Sequence, residues 1–347
     1  MLRETNGHAL HWADKTMSVI KARQLEACEN RLSTLPGFGL FSGCDATNVE
    51  ELWAISFDAQ EQPIPGSLHD VRKLQAKVLT TLPAEAALLS MEEHHLIDRL
   101  LALGGKAELM DWEETEAAES LARRLWCTVE RQDDRIFVHL PPELVVPLQL
   151  IMSSKAHEDI REKLFRYDAT IRGLLYIGGL LHVSEPVRHL MADVLEGTYA
   201  SSEKLAMRYI RTSYDYTYDQ AGQMLLLHPG LADPEHMVRK LMIRPDTRLE
   251  LDEKTMLGAM SGLLPEEHSL FDMMYGLLLG SVRPEISAEE AVEDLRMLAK
   301  QGVSLHEMKD VLGTLLTVHP TSAMLSGVEQ LYMMTPRWGT MRSGMVQ

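Results

Sequence analysis

Leu226-Leu227-His228-Pro229 closes an apolar run in the second half of the chain, and similar phrases stand before and after it. The earlier phrase is Leu180-Leu181-His182, and the later one is Leu316-Thr317-Val318-His319-Pro320. The interval between the histidines of the last two phrases is nearly twice that between the first two. We expect each phrase to end an amphipathic helical segment, so the spacing indicates stacked helical units.

A partial fourth phrase lies between the last two. Leu277-Leu278-Leu279 occurs near the missing position, with Gly280 where the histidine is expected. Units of two or three helices with this spacing fall in the length range of HEAT-like repeats. The intervals are uneven, however, and an ordinary helical domain with similar helix ends is the alternative interpretation. Both interpretations predict helices throughout residues 141–335.

The amino-acid composition also favours helix over sheet. Leu, Ala, Glu and Met are abundant, only 6% of the residues are aromatic, and β-branched runs are scarce. The hydrophobic content of 45% is typical of a folded globular protein. A chain of 347 residues is long enough for two domains or one extended array. We therefore predict a mainly α, multi-helical fold.

Residues 127–139 depart from the helical pattern. They form two short apolar runs around the polar turn Arg131-Gln132-Asp133-Asp134, which predicts a β-hairpin. Two helices are predicted before it. The first covers residues 84–103 and is opened by Pro83 at its first turn, and the second covers residues 112–125. Helices followed by a hairpin resemble the layout of a winged helix, which is a shape without a fixed function.

Pro141-Pro142 marks the predicted end of this winged-helix-like module. The chain then divides into an N-terminal helical segment, the module, a helical domain and a tail, at residues 1–83, 84–140, 141–335 and 336–347. The tail is short and cationic and contains Trp338. We expect it either to dock on an acidic neighbour or to fray.

Charge and cysteine content limit the possible partners and compartments. The net charge is −17, and residues 84–140 carry 6 basic and 13 acidic side chains. Neither direct nucleic-acid binding nor attachment to an anionic membrane is expected from such a chain. The three cysteines form no Cys-x-x-Cys motif, and the N-terminus has no apolar signal core. These features predict a cytoplasmic protein.

The densest polar and aromatic patch lies at residues 208–219, which contain four of the nine tyrosines. If this stretch is helical, its arginine and aspartates form one i,i+4 stripe and two of its tyrosines form the next. Tyrosine and arginine are enriched at the centres of protein interfaces, so the patch predicts a partner surface. A packing seam between helices is the alternative. The predicted surface residues are Arg208, Arg211, Tyr214, Asp215, Tyr218 and Asp219.

Two other patterns suggest metal chemistry. In Glu92-Glu93-His94-His95 followed by Asp98, residues three and four apart share a helical face. Carboxylate-bridged di-iron bundles need a second Glu-x-x-His motif that this chain lacks. The dipeptide His69-Asp70 occurs in HD-type metal phosphohydrolases, which also need an upstream histidine and a downstream aspartate. An HD-like hydrolase that uses His69 and Asp70, or Glu92, His95 and Asp98, is therefore an alternative function, whereas a solvated helix face is the simpler explanation.

The predicted function is that of a non-enzymatic, cytoplasmic scaffold, adaptor or regulatory protein that binds a protein partner. No catalytic residue, metal site or cofactor is predicted, because no nucleotide-binding loop, zinc motif or nucleophile context is recognisable. A transcription-linked regulator that acts through residues 84–140 is the other alternative. The sequence does not indicate an oligomeric state.

Overall fold

The computed structural model describes residues 68–110, 112–132, 135–183, 207, 209–211, 213–241 and 253–338. In this part of the chain the protein is mainly helical, with two small three-stranded antiparallel sheets, which confirms the predicted fold class. The described residues form two compact units. The N-terminal unit extends to Phe165, and the C-terminal unit begins at Arg166.

Among the described residues, the N-terminal unit contains four helices, the first part of a fifth, and sheet A. Its strands have the antiparallel order β1-β3-β2. The elements are α1 (Leu68–Ala86), α2 (Met91–Ala102), β1 (Lys106–Glu108), α3 (Trp112–Arg123), β2 (Thr128–Gln132), β3 (Arg135–His139), α4 (Pro142–Met152) and α5 (Lys155–Gly178).

The predicted hairpin is confirmed as strands β2 and β3. Their register runs from Thr128 opposite His139 to Gln132 opposite Arg135. Strand β1 pairs with the other edge of β3 and was not predicted. Because β1 has only three residues, it is too short to show the alternating pattern of a strand.

The predicted helix boundary at Pro83 is wrong. Helix α1 continues through Pro83 and ends at Ala86. Helix α2 begins after Ser90, whose hydroxyl accepts the N–H of Glu93 at 3.1 Å, while the Glu93 carboxylate accepts the N–H of Ser90 at 2.8 Å. This capping box fixes the start of α2, and the single predicted helix over 84–103 had overlooked it.

The described part of the N-terminal unit has a shared hydrophobic core. Leu74 and Leu82 of α1 pack in the same buried cluster as Leu121, Val138 and Leu148. The cluster therefore includes side chains from three of the four predicted segments. The four-segment division stays a prediction about which parts of the chain fold independently.

The C-terminal unit combines the end of α5 with sheet B and six further helices among the described residues. The strand order of sheet B is β4-β6-β5, again antiparallel. The elements are β4 (Leu180–His182), β5 (Tyr216–Tyr218), β6 (Met224–Leu227), α6 (Pro234–Leu241), α7 (Glu253–Met260), α8 (His268–Leu278), α9 (Ala288–Gln301), α10 (Leu305–Leu315) and α11 (Ser322–Met334).

Side-chain caps define the starts of the last three helices. The hydroxyls of Ser287, Ser304 and Thr321 each accept the backbone N–H of the residue three positions later. Such caps satisfy N–H groups that have no partner inside the helix. Gly302 ends α9 in the left-handed conformation, with φ of 80°. The three helices pack with α8 around one buried apolar cluster.

The first two histidine phrases are strands of sheet B, and the expectation that they end helical units is wrong. Leu180 lies opposite Leu227, and His182 lies opposite Leu225. Short apolar runs of this length fit a buried strand as well as the end of a buried helix, and periodicity cannot distinguish them. The HEAT-like arrangement stays a prediction, now without support from these two phrases.

None of the described helices is both long enough and apolar enough to cross a membrane.

Candidate functional site

The tyrosine-rich patch does not form the predicted helix. Residues 209–211 and 213 are helical, the chain turns at Tyr214, and β5 follows. The i,i+4 stripes are therefore absent. Aromatic and β-branched side chains favour extended backbone, which explains why Tyr216, Thr217 and Tyr218 form a strand.

Two of the four tyrosines in the patch anchor the chain to α5. The hydroxyl of Tyr209 donates to Oδ2 of the buried Asp168 at 2.6 Å, and the hydroxyl of Tyr214 donates to Oδ1. Burial, followed by the charge of Asp168, raises the pKa of Tyr214 well above its usual range, so its hydroxyl remains a donor. A buried carboxylate needs such donors, and the bonds fix the chain just before β5.

The other two tyrosines face outward from β5. Tyr216 is 40% exposed and Tyr218 is 50% exposed. Residues two apart in a strand lie on the same face, and the two rings contact each other edge to face with centroids 5.9 Å apart. They form one continuous, exposed aromatic surface.

The hydrogen bonds between β5 and β6 show which residues of β5 use their backbone inside the sheet. The N–H of Leu227 donates to the carbonyl of Asp215, and the N–H of Asp219 donates to the carbonyl of Gln223, both at 2.9 Å. Every second residue of an antiparallel strand bonds to the same neighbour. Asp215, Thr217 and Asp219 therefore face β6.

The backbone N–H and C=O groups of Tyr216 and Tyr218 consequently point to the other side of β5. Strand β5 is the last strand on this side of sheet B. No residue in the described ranges pairs with it there. An edge of this kind has donors and acceptors available for an additional strand.

Asp219 shapes the turn that joins β5 to β6. Its Oδ1 accepts the N–H of Ala221 at 2.9 Å and that of Gln223 at 2.8 Å. Gly222 completes the turn with φ of 74°. This side-chain turn is a common alternative to a backbone turn, and it holds β5 in register with the buried strand β6.

The predicted surface residues thus have different positions. Arg211, Asp215 and Tyr218 are exposed, whereas Tyr214 and Asp219 make the internal bonds just described. Arg208 lies outside the described residues. The assignment of the six residues as a partner surface stays a prediction. Tyr216 is not among the predicted surface residues, although the alternation in Tyr216-Thr217-Tyr218 was the available signal.

The two histidines of the predicted metal-like cluster, His94 and His95, have different environments in the structure. Nδ1 of the buried His94 lies 3.0 Å from Oδ2 of Asp98, and His95 is exposed. The nearest ring to His94 belongs to His157 on α5, which was not predicted. Among the described residues, no three His, Cys, Asp or Glu side chains are placed to hold a metal ion.

His69 and Asp70 lie in the first turn of α1, and their side chains are outside the description. The HD-like hydrolase therefore stays a prediction. The same holds for the transcription-linked regulator and for the cytoplasmic location.

A buried ionic cluster, which we call the Glu267 cluster, lies in the C-terminal unit. Nζ of Lys300 is 3.0 Å from Oε1 of Glu267, and Nη1 of Arg296 is 3.7 Å from Oε2. Tyr176 donates its hydroxyl to the same carboxylate, and Nζ of Lys300 lies 4.0 Å from the centre of the Tyr176 ring. Burial lowers the pKa of Lys300, and the charge of Glu267 opposes this change. The cluster consists of Tyr176, Glu267, Arg296 and Lys300.

Trp338 lies beside this cluster and is fully buried. Its indole N–H donates to the carbonyl of Tyr176 at 2.9 Å, and its backbone N–H donates to the carbonyl of Lys300 at 2.7 Å. Its ring also contacts His228, which burial keeps neutral by lowering its pKa to about 3. The expectation that the tail frays is therefore wrong at Trp338, and docking of the tail on an acidic neighbour stays a prediction.

Comparisons with known proteins do not assign the chain to a family. No protein-family model matches the chain, and neither a curated protein nor a solved structure matches it significantly. Any function at these sites must therefore follow from their own chemistry, at the β5 edge that no described residue pairs with and at the buried clusters.

Proposed function

We propose that this chain is a protein-binding module, serving as an adaptor or regulator, and that it takes an extended segment of its partner along the open edge of β5. The observation that carries the proposal is the exposed pair Tyr216 and Tyr218, whose backbone groups point away from β6. An added strand would use these donors and acceptors directly. Such strand addition is a recurring mode of peptide recognition.

The two exposed tyrosines would supply the side-chain part of this recognition. Tyrosine has a large contact area and loses little conformational entropy when it becomes buried. The rings already contact each other, so part of their ordering precedes binding. The anchors on Asp168 and the Asp219 turn hold β5 in place. A preformed edge lowers the entropic cost of association.

Charge favours a different protein over a second copy of this chain as the partner. If two copies paired antiparallel about Thr217, Asp215 of one would lie opposite Asp219 of the other. Like charges at directly opposite positions of a sheet are destabilising. Asp215 is an exposed carboxylate, and the chain carries a net charge of −17. A partner segment with a lysine or arginine beside Asp215 fits this edge.

The first test is the double substitution Tyr216→Ser and Tyr218→Ser. Extended peptides would be selected on the wild-type chain from a displayed random library, and the dissociation constant of a selected peptide would be measured. We expect the double variant to bind at least about tenfold more weakly, because buried interface tyrosines commonly contribute about 2 kcal/mol each. The urea midpoint should stay near that of the wild type, since both side chains are exposed.

Tyr275→Ser is the matched control. Tyr275 lies on α8 and is 40% exposed, as Tyr216 is. Its replacement should leave the dissociation constant unchanged. An equal loss in the control, or full binding by the double variant, would contradict the proposal.

A further inference from the structure

Two buried histidines meet in the core of the N-terminal unit. His94 belongs to α2, and His157 belongs to the first turn of α5. Their Nε2 atoms are 3.4 Å apart, the planes of the rings differ by 15°, and both residues are almost fully buried. Since the two helices meet through these imidazoles, the proton on each ring determines whether the contact is attractive.

The neighbours of His94 determine where its proton lies. Nδ1 faces the Asp98 carboxylate at 3.0 Å, so Nδ1 carries the proton and donates it. Nε2 of His94 is then an acceptor. Nη1 of Arg161 lies 3.3 Å from this nitrogen and can only donate. The neutral tautomer of His157 with its proton on Nε2 completes the network, because its N–H then faces the same acceptor nitrogen at 3.4 Å.

Protonation of either ring disrupts this hydrogen-bond network. A second proton on His94 would occupy the nitrogen that accepts from Arg161 and His157. A proton added to His157 would place a cation beside Arg161 in a region with little water. The other titratable groups that face the pair in the described chain are Asp98 and His95. Asp98 is the only anion among them, and its side chain is 52% exposed, so solvent screens its charge.

We propose that the contact between His94 and His157 is an acid-released latch that joins α2 to α5 while both imidazoles are neutral and separates them when a ring is protonated. The ring of Phe165 touches His94 edge-on, with ring centroids 6.0 Å apart. Charging a histidine is an established way to convert a packed contact into a repulsive one.

The direction of the pKa shifts agrees with this latch. Burial is the largest cause that lowers the pKa of His157 to about 4, and the charges of His94 and Arg161 lower it further. Burial also lowers the pKa of His94, against the charge of Asp98. An unfolded histidine has a pKa near 6.5. The stabilising contribution is therefore complete above about pH 6.5 and is lost as the pH falls towards about 4.

The direct test is a titration of the histidine ring signals of the full chain by NMR, with each signal assigned from single variants. We expect His157 to titrate at least one pH unit below an ordinary histidine. In Arg161→Met the midpoints of both rings should rise, because a facing cation is removed. In His95→Gln, which removes an exposed and weaker charge on the same helix, the midpoint of His94 should rise less than in Arg161→Met.

A second measurement does not depend on ring signals. Urea midpoints of wild type and of His157→Gln would be compared at pH 7 and pH 5. Glutamine keeps an N–H donor near His94 but cannot be protonated, so the variant should lose less stability on acidification than the wild type. Titration of His157 near pH 6.5, or an equal acid loss in both proteins, would overturn the latch.

Discussion

Replacing Trp338 by alanine is expected to lower the free energy of unfolding of the C-terminal unit by about 3–5 kcal/mol, the usual cost of removing a buried tryptophan. The side chain is 0% exposed, and its indole N–H donates to the carbonyl of Tyr176. Its removal leaves a cavity between α5, α9 and the end of β6. Urea unfolding followed by circular dichroism would measure the change.

Two variants make this prediction specific. Met333→Ala, in the last turn of α11 at a residue that is 78% exposed, should change stability by no more than about 0.5 kcal/mol. Gly179→Ala should reproduce part of the loss from the other side, because an added Cβ would lie 2.7 Å from the Trp338 ring and φ of Gly179 is +75°. A Trp338→Ala protein as stable as the wild type would show that the residue does not hold this unit together.

Glu267→Ala is expected to cost a similar amount, about 3–5 kcal/mol, because it leaves the buried Lys300 without the carboxylate that it pairs with. Lys300 and Glu267 are both almost fully buried, and Nη1 of Arg296 faces the same carboxylate. The carboxylate also accepts the backbone N–H of Leu264 at 2.9 Å. Its loss therefore leaves several donors without an acceptor.

The exposed ion pair between Lys309 and Glu329 is the matched control within the same unit. Lys309→Ala should change stability by only about 0–1 kcal/mol, since solvent screens such pairs. If Glu267→Ala and Lys309→Ala had equal effects on the urea midpoint, the Glu267 cluster would not have the structural role that its burial implies.

The local features of this fold follow from the sequence. The hairpin of β2 and β3 is predictable because its two runs are adjacent and separated by polar turn residues. The start of α9 is equally local, since Ser287 and Glu290 cap each other's backbone N–H groups. Interactions of this kind involve residues at most eleven positions apart, and a single sequence contains all the information about them.

Sheet B is different because its strands meet across long stretches of chain. Strands β4 and β6 are each too short to show a period, and their pairing is a tertiary contact. The burial of Trp338 has the same origin, because its partners Tyr176 and Lys300 lie on helices far from it in the sequence. The sequence pattern therefore suggested helices where packing gives sheet B, and it left open whether the tail docks or frays where Trp338 is in fact buried.

The sequence was sufficient to locate the candidate site but not to predict its geometry. Enrichment in tyrosine located the correct segment, but it could not separate the inward from the outward tyrosines. That separation depends on Asp168, which lies 41 residues before Tyr209 and 46 before Tyr214. The contact between His94 and His157 spans 63 residues and was likewise invisible in the sequence pattern.

Amide hydrogen exchange at β5, measured by NMR with and without a selected peptide, tests the protein-binding proposal most directly. The N–H of Thr217 already faces β6, whereas those of Tyr216 and Tyr218 face the open edge. Strand addition predicts new protection at Tyr216 and Tyr218 on binding, with little change at Thr217. Protection elsewhere in the chain, with Tyr216 and Tyr218 still exchanging freely, would contradict it.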